Sequence, residues 1–263
     1  MQRFLSFIVL GLTLGVLHDD AIAQNPSNEI IITQAKHLIT EGVNTADDRL
    51  ILKAREILVP LTGDNPFSPI ALYYIGFADY RMASIHPGMD KDSIVAYLEH
   101  GIESLQSATD KNGKFAEAYA LLASCYGQKI RYYPLAGITL GPKSGKALSI
   151  AMALEPENPR VVLLNAMSTY FTPAFFGGSK EEGLQGFRKA TALFDRWKSP
   201  DSLQPDWGYD EAYIWIGIAN LEQKEPMSAR RAFQRALEIN PKNGWAKYEL
   251  LPRADRDLEA KKN

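Results

Sequence analysis

The sequence predicts an all-α fold, in which about five helical hairpins stack as an α-solenoid and a C-terminal helix caps the stack. Three observations predict it. Apolar residues recur at helical spacing along most of the chain. Small and large apolar residues return at fixed distances in its second half. No segment of useful length alternates apolar and polar residues as a strand would.

The N-terminus has the layout of a secretory signal peptide. Arg3 precedes an apolar run over 4–17, and Ala21-Ile22-Ala23 forms an A-x-A cleavage site before Gln24. We therefore expect residues 1–23 to be removed and the mature protein to be periplasmic or secreted. An uncleaved N-terminal anchor is the alternative. No other stretch is long and uncharged enough to span a bilayer, so no membrane span is expected after cleavage.

Charge and cysteine content exclude several classes of function. Lys and Arg total 29 against 31 Asp and Glu, so nothing favours a nucleic acid or an anionic membrane as partner. Cys125 is the single cysteine, so no internal disulfide can form. No cysteine lies beside the expected cleavage site, which argues against a lipid anchor there.

The stretch 210–243 carries the clearest repeat. A first helix has large, large and small residues at its packing positions, and a second helix repeats small and large ones before a proline stop. These residues are Tyr213, Ile216, Gly217, Ala229, Phe233, Ala236 and Pro241. Small residues allow the two helices of a hairpin to cross closely, and we expect Phe233 to fill the space between hairpins. This unit resembles the tetratricopeptide repeat (TPR) family, whose repeat is 34 residues long.

Earlier units match with insertions. Gly217 and Ala236 are 19 residues apart, whereas the corresponding small residues are 24 apart in Ala166 and Ala190 and 28 apart in Ala123 and Ala151. We therefore predict divergent hairpins over 24–112, TPR-like repeats with insertions over 113–243, and a capping helix with a polar tail over 244–263. In the last segment, Trp245, Tyr248 and Leu251 are expected to cover the apolar end of the stack.

No residue pattern predicts catalysis, a metal site or a cofactor. His37, His86 and His100 are not paired at metal-ligand spacing. The stretch 141–146 is glycine- and lysine-rich but has one residue too few between its glycines for a phosphate-binding loop, and Ala147 replaces the hydroxyl residue. We instead expect Pro142 to lie in the first turn of a helix. An enzyme is the third and least favoured hypothesis.

Two regions are predicted to bind a ligand or partner. In stacked hairpins the first helix of each pair lines the concave face, and the insertions should lie side by side along one edge. The wall residues are Tyr73, Phe77, Tyr80, Arg81, Gln128, Arg160, Met167 and Tyr170, and the insertion residues are Tyr132, Tyr133, Phe175 and Phe176. The alternative is that the aromatic rings only pack against each other and against the first helices.

The predicted function is that of a non-catalytic exported scaffold. It would bind a protein or peptide partner in the cell envelope, or a small apolar ligand, on the concave face and the insertions. The Phe-Phe-Gly-Gly turn is similar to that of bacterial exported TPR proteins and loosely to TPR proteins associated with TRAP transporters, which implies a substrate-binding transporter accessory as the alternative. The segment 197–208 contains Trp197 and Trp207, so a packed loop is favoured over a flexible boundary.

Overall fold

The computed structural model describes residues 27–85, 88–199 and 201–261, in which eleven α-helices follow one another. The expected signal peptide and His86 lie outside these residues. The helices are α1 (Asn28–Thr45), α2 (Asp48–Leu58), α3 (Ser68–Ile85), α4 (Lys91–Lys111), α5 (Ala116–Tyr132), α6 (Gly137–Leu154), α7 (Pro159–Phe171), α8 (Lys180–Phe194), α9 (Tyr209–Glu222), α10 (Pro226–Ile239) and α11 (Leu251–Ala260). The prediction of an all-α hairpin stack is confirmed.

Short polar side chains set where the helices begin. Asp90 accepts a hydrogen bond from the Ser93 backbone N–H (2.9 Å) at the start of α4, and Ser179 accepts one from Glu182 N–H (3.2 Å) at the start of α8. Such caps satisfy amide groups that lack an acceptor in the first turn. Pro159 lies in the first turn of α7, where its missing N–H removes no helical hydrogen bond.

The hairpins are closed by glycines at the helix crossings. A Cβ added to Gly217 would lie 2.2 Å from the Phe233 ring, and one added to Gly76 would lie 2.5 Å from Leu105. Since real atoms cannot approach so closely, only glycine permits these crossings. Phe233 therefore packs against its own hairpin, rather than only between hairpins as the repeat pattern suggested.

The five hairpins stack in chain order. The second helix of each pair packs on the first helix of the next, as α4 does on α5 and α8 on α9. A continuous buried cluster extends from Ile32 to Leu164, across the boundary expected at residue 112. The N-terminal hairpins thus share this cluster with the first TPR-like repeats, and the later repeats form two further buried clusters.

The two ends of the stack contact each other. Asn240, after α10, donates from Nδ2 to Asn44 Oδ1 in α1 (2.9 Å), and Lys242 Nζ lies 3.1 Å from Glu41 Oε2. Gly244 passes so close to the Asn44 carbonyl oxygen that an added Cβ would lie 2.7 Å from it. The array therefore curves until its last hairpin meets its first helix.

The C-terminal cap differs in detail from the prediction. A π-helical turn over Ala246–Leu250 leads into α11, and the buried side chains are Ala246, Leu250 and Ala254. Tyr248 is 71% exposed and does not cover the apolar end. The buried face of this segment differs from the prediction because a π turn contains more residues than an α-helical turn. The extra residue rotates the side chains that follow it about the helix axis.

The structure also differs from two predictions for residues 129–142. The residues around 129–136 mostly lengthen helices: α5 continues to Tyr132, and α6 begins at Gly137 after a single 3-10 turn, Pro134–Ala136. Pro142 therefore lies inside α6 rather than in its first turn. Its missing N–H leaves the carbonyl of Ile138 without the usual helical partner, on an exposed turn where water can reach it.

Candidate binding surfaces

The concave face is filled by the chain itself. The inner wall, formed by the facing sides of α3, α5 and α7, carries Tyr73, Phe77 and Tyr80 from α3, and all three side chains are buried. Trp207 stacks on the Phe77 ring with centroids 4.8 Å apart, and its indole N–H donates to the Tyr73 hydroxyl (2.9 Å). The aromatic wall that the sequence predicted as a ligand surface is thus covered in this structure.

The covering segment lies in the connection between α8 and α9, and its described residues, 197–199 and 201–208, are here called the inner connection. Lys36 of α1 donates from Nζ to the carbonyl oxygens of Ser202 (2.6 Å) and Gln204 (2.8 Å) and lies 3.1 Å from Asp206 Oδ2. Tyr74 donates its hydroxyl to the Leu203 carbonyl (2.8 Å). The inner connection is therefore a packed loop fixed to the first two hairpins.

Arg81, the charged residue predicted on this wall, is neutralised locally. Its guanidinium pairs with Glu211 of α9 and lies over the rings of Phe77 (4.7 Å) and Trp207 (5.1 Å). Burial raises the pKa of Glu211, while the Arg81 charge acts against that rise. Arg81 consequently joins α3 to α9 across the concave face and offers no free charge to a solute there.

Arg160 forms the most deeply buried ion pair among the described residues. Its Nε donates to Glu117 Oε1 at 2.6 Å, and both side chains are almost entirely removed from solvent. Burial raises the pKa of Glu117, and the Arg160 charge opposes that rise. The pair joins the start of α5 to the start of α7 and lies beneath the inner connection, whose Trp207 carbonyl accepts from Arg160 Nη1 (3.4 Å).

The other predicted wall residues are also engaged within the chain. Gln128 donates from Nε2 to the Ser84 hydroxyl (3.1 Å), and Tyr170 donates its hydroxyl to Glu222 Oε2 (2.8 Å). Tyr170 is buried, and Met167 is half-buried against the core. These three side chains therefore contact other parts of the chain.

In contrast to the inner wall, the turns within the third hairpin (α5 and α6) and the fourth hairpin (α7 and α8) expose large apolar side chains. Phe175 is 91% and Phe176 74% exposed, and Leu135 and Ile138 are 85% and 79% exposed. Both turns follow a first helix, so the alternating helix direction places them on the same edge of the stack. We call residues 132–138 and 171–178 the turn edge.

Local sequence explains why these rings face outward. Pro173 ends α7, a 3-10 turn over Ala174–Phe176 follows, and Gly177 adopts a positive φ of 87° that glycine tolerates. An added Cβ at Gly178 would lie 1.7 Å from the Thr172 carbonyl oxygen, so the chain returns on itself tightly. The two phenyl rings contact each other edge to face, with centroids 5.2 Å apart.

A cleft of about 570 Å³ adjoins the first half of the turn edge. Its floor is formed by Val95 and Ala96 of α4, and Leu135 stands at its side. Tyr133 donates its hydroxyl to Asp92 (3.1 Å), and the Lys91 ammonium lies 3.7 Å from the centre of the Tyr133 ring. Tyr132 is half-buried beside this turn. The cleft has an apolar floor and a charged rim.

One polar cluster was not predicted from the sequence. Asp79 of α3 is completely buried, forms an ion pair with Arg55 of α2 (Nε to Oδ1, 2.8 Å) and is hydrogen-bonded to His100 Nδ1 of α4. Burial raises the pKa of Asp79, and the hydrogen bond to Asp79 raises the pKa of His100. The three residues come from three helices that the sequence separates widely, and only the burial of Asp79 within an apolar helix could have suggested a partner.

Within the described residues no group of three His, Cys, Asp or Glu side chains is arranged to hold a metal ion. Burial raises the pKa of the Cys125 thiol far above its ordinary value, which disfavours the reactive thiolate. Among the helices that the structure describes, none combines the length and apolar character of a transmembrane span.

Comparison with known proteins is informative at the level of the fold. No protein-family model and no curated protein matches this sequence. Among solved structures, the HusA haemophore from Porphyromonas gingivalis is similar with a TM-score of 0.61 and 20% identity over 76% of this chain and 96% of that one. A thermophilic TPR protein from Thermus thermophilus is similar with a TM-score of 0.58 and 16% identity over 85% of this chain and 98% of that one. The chain therefore has a TPR-like fold.

Proposed function

We propose that this protein is a non-catalytic exported scaffold that binds a protein partner through its turn edge. The observation that carries the proposal is the exposure of Phe175 and Phe176 on a turn whose backbone is held by Pro173 and two glycines. Large aromatic side chains on a fixed backbone bind at low entropic cost, and they are enriched among the residues that dominate interface energies.

The neighbouring cleft supports a protein partner. A floor of small apolar side chains beside a protruding Leu135 suits an inserted aliphatic or aromatic side chain. The rim supplies charges of both signs, Asp92 and Glu99 with Lys91 and Lys129, which suits the polar border of an interface. Export rests on the signal-peptide pattern of residues 1–23, and we place the partner in the cell envelope.

The experiment is site-specific photocrosslinking in cells. A photoreactive phenylalanine analogue at position 175 should capture a defined envelope protein, and the same analogue at Tyr248, an exposed ring on the C-terminal cap, serves as the matched control. Phe175→Ala with Phe176→Ala should abolish recovery of that protein by the otherwise unmodified chain, because the two rings are removed while the folded core is untouched. Equal capture from positions 175 and 248 would contradict the proposal.

A second candidate is the capture of a small apolar ligand at the same edge, as a substrate-binding accessory of an envelope transporter. The cleft of about 570 Å³ favours it, since small-molecule sites fall within about 300–1,000 Å³. The fold similarity to a haemophore makes haemin a suitable first probe. A saturable change in the haemin absorbance spectrum that disappears in the Phe175→Ala, Phe176→Ala variant would select this candidate over a protein partner.

A further inference from the structure

A second cavity lies on the opposite side of the hairpins from the turn edge, where the inner connection crosses the starts of α5 and α7. It has a volume of about 400 Å³. Its walls are the turn between α4 and α5, the turn between α6 and α7, and the residues Trp197 and Gln204 of the inner connection. Three separate segments of the chain thus enclose a space that could hold a molecule of amino-acid size or larger.

Two buried hydrogen-bond donors at this cavity have no acceptor among the described residues. Arg160 uses Nε on Glu117 and Nη1 on the Trp207 carbonyl, while its Nη2 is buried and unpaired. Trp197 Nε1 is also buried and unpaired. The Arg160 guanidinium carbon lies 5.6 Å from the centre of the Trp197 ring, so the two side chains are neighbours. A buried donor without an acceptor is unfavourable, and proteins keep few of them without a functional reason.

The charges around the cavity indicate which kind of ligand group could accept hydrogen bonds from the two donors. Glu117 already neutralises Arg160, which leaves Lys114 against Glu155 and Glu157 on the lining. The surplus is negative, and this disfavours phosphate, sulfate or any dianion. A single carboxylate could pair with the two free donors, and a positive group on the same molecule would balance the acidic side chains on the lining.

The uncharged lining contains both polar and apolar residues: Asn112, Asn158 and Gln204 are polar, and Phe115, Pro156 and Trp197 supply apolar surface. The side chains of Phe115, Pro156 and Trp197 offer carbon surface to a ligand in this cavity. Phe115 also contacts Tyr73 of the inner wall, with ring centroids 5.0 Å apart, so its position is fixed by the core. The cavity therefore combines two unpaired donors, acidic side chains and some apolar surface.

We propose that this cavity binds a free apolar α-amino acid as its zwitterion. The carboxylate accepts from Arg160 Nη2 and Trp197 Nε1, and the ammonium donates to Glu157 and Glu155. The side chain of the ligand lies against Phe115 and Pro156. This site is separate from the turn edge, so the proposal of an amino-acid ligand is independent of the proposed protein partner.

The test is isothermal titration calorimetry of the folded mature chain with L-phenylalanine, L-leucine and L-methionine. At least one of them should bind saturably, whereas phenethylamine, which lacks the carboxylate, and inorganic phosphate should not. 3-Phenylpropanoate, which lacks the ammonium, should bind more weakly than L-phenylalanine. The absence of saturable binding by all three amino acids, or equal binding of 3-phenylpropanoate and L-phenylalanine, would overturn the proposal.

Single substitutions distinguish an effect on ligand binding from an effect on folding. Trp197→Phe keeps an aromatic ring but removes the indole N–H and should weaken binding on the order of tenfold, since the lost hydrogen bond goes to a charged group. Glu157→Gln, on the exposed rim, should also weaken binding. Trp245→Phe, which removes an indole N–H on the C-terminal cap, is the matched control and should bind as the parent does. Unchanged binding in both Trp197→Phe and Glu157→Gln, with circular dichroism showing the parent fold, would contradict the assignment.

Discussion

The inner wall and the turn edge carry similar aromatic side chains in opposite environments. On the inner wall, Tyr73 and Phe77 are covered by Trp207, and the Tyr73 hydroxyl is paired within the chain. On the turn edge, Phe175 and Phe176 face solvent and contact each other. Aromatic content therefore does not by itself distinguish a stabilising surface from a binding surface, and what covers the rings decides the outcome.

Among substitutions that test this comparison, the largest loss of stability is expected from the buried ion pair beneath the inner connection. Arg160→Met leaves the Glu117 carboxylate buried without its cation and should lower the free energy of unfolding by about 3–5 kcal/mol. Adding Glu117→Leu should restore most of the loss, because the second substitution removes the uncompensated charge. Urea denaturation measures both. A single variant within about 1 kcal/mol of the parent would show that the pair contributes little to the inner wall.

The next effect contrasts one aromatic ring from each region. Trp207→Ala removes the stacking on Phe77, the hydrogen bond to Tyr73 and the covering of Arg81, and should destabilise the protein by about 2–4 kcal/mol. Phe175→Ala should change stability by less than about 0.5 kcal/mol, because its ring is exposed. Thermal unfolding of the two variants side by side checks the difference. Similar losses from both would contradict the division into a packed wall and a free edge.

A smaller effect is expected from the lysine that fixes the inner connection. Lys36→Met removes the bonds to the Ser202 and Gln204 carbonyls, which should cost about 1–3 kcal/mol, and it should increase amide exchange in residues 201–208 more than elsewhere. Lys53→Met, on the exposed surface of α2, is the control. Exchange that rises equally in α10 would indicate that Lys36 acts on the whole fold.

The smallest effect concerns pH. The hydrogen bond to Asp79 raises the pKa of His100 in the folded protein above the unfolded value of about 6.5. The stabilisation is therefore fully present below that pH and is lost as pH rises through the folded pKa. The Tm should fall slightly above about pH 6.5, and less so in His100→Gln, which removes the titration. Solvent exposure of His100 keeps this effect small. Parallel Tm profiles of the two proteins would contradict this role.

The hairpin stack could be predicted because its determinants are local. Small residues such as Gly217 recur at the spacing that a helix crossing requires, and caps and prolines mark the helix ends within a few residues. The exposure of Phe175 and Phe176 had a local signal too, since Pro173 and the two glycines hold them on a tight turn. These features depend on residues that are close in sequence.

The filling of the concave face could not be predicted in the same way. Trp197 and Trp207 indicated a packed segment, but Tyr73 and Trp207 are 134 residues apart, and no periodicity relates them. The same holds for Arg160 and Glu117, which are 43 residues apart: the sequence predicted Arg160 on the wall but gave no signal for its partner. Which surface a connection covers depends on the curvature of the whole array, which the repeat pattern does not specify.

The meeting of Asn240 with Asn44, and of Lys242 with Glu41, has a further consequence for folding and for evolution of the chain. In an open array each unit depends only on its neighbours, so units can be gained, lost or melted one at a time. Here the ends are joined across about two hundred residues, and contacts of such long range are expected to slow folding. Insertion or deletion of one hairpin would separate Asn240 from Asn44 and Lys242 from Glu41. We therefore expect this architecture to tolerate changes in the number of hairpins poorly.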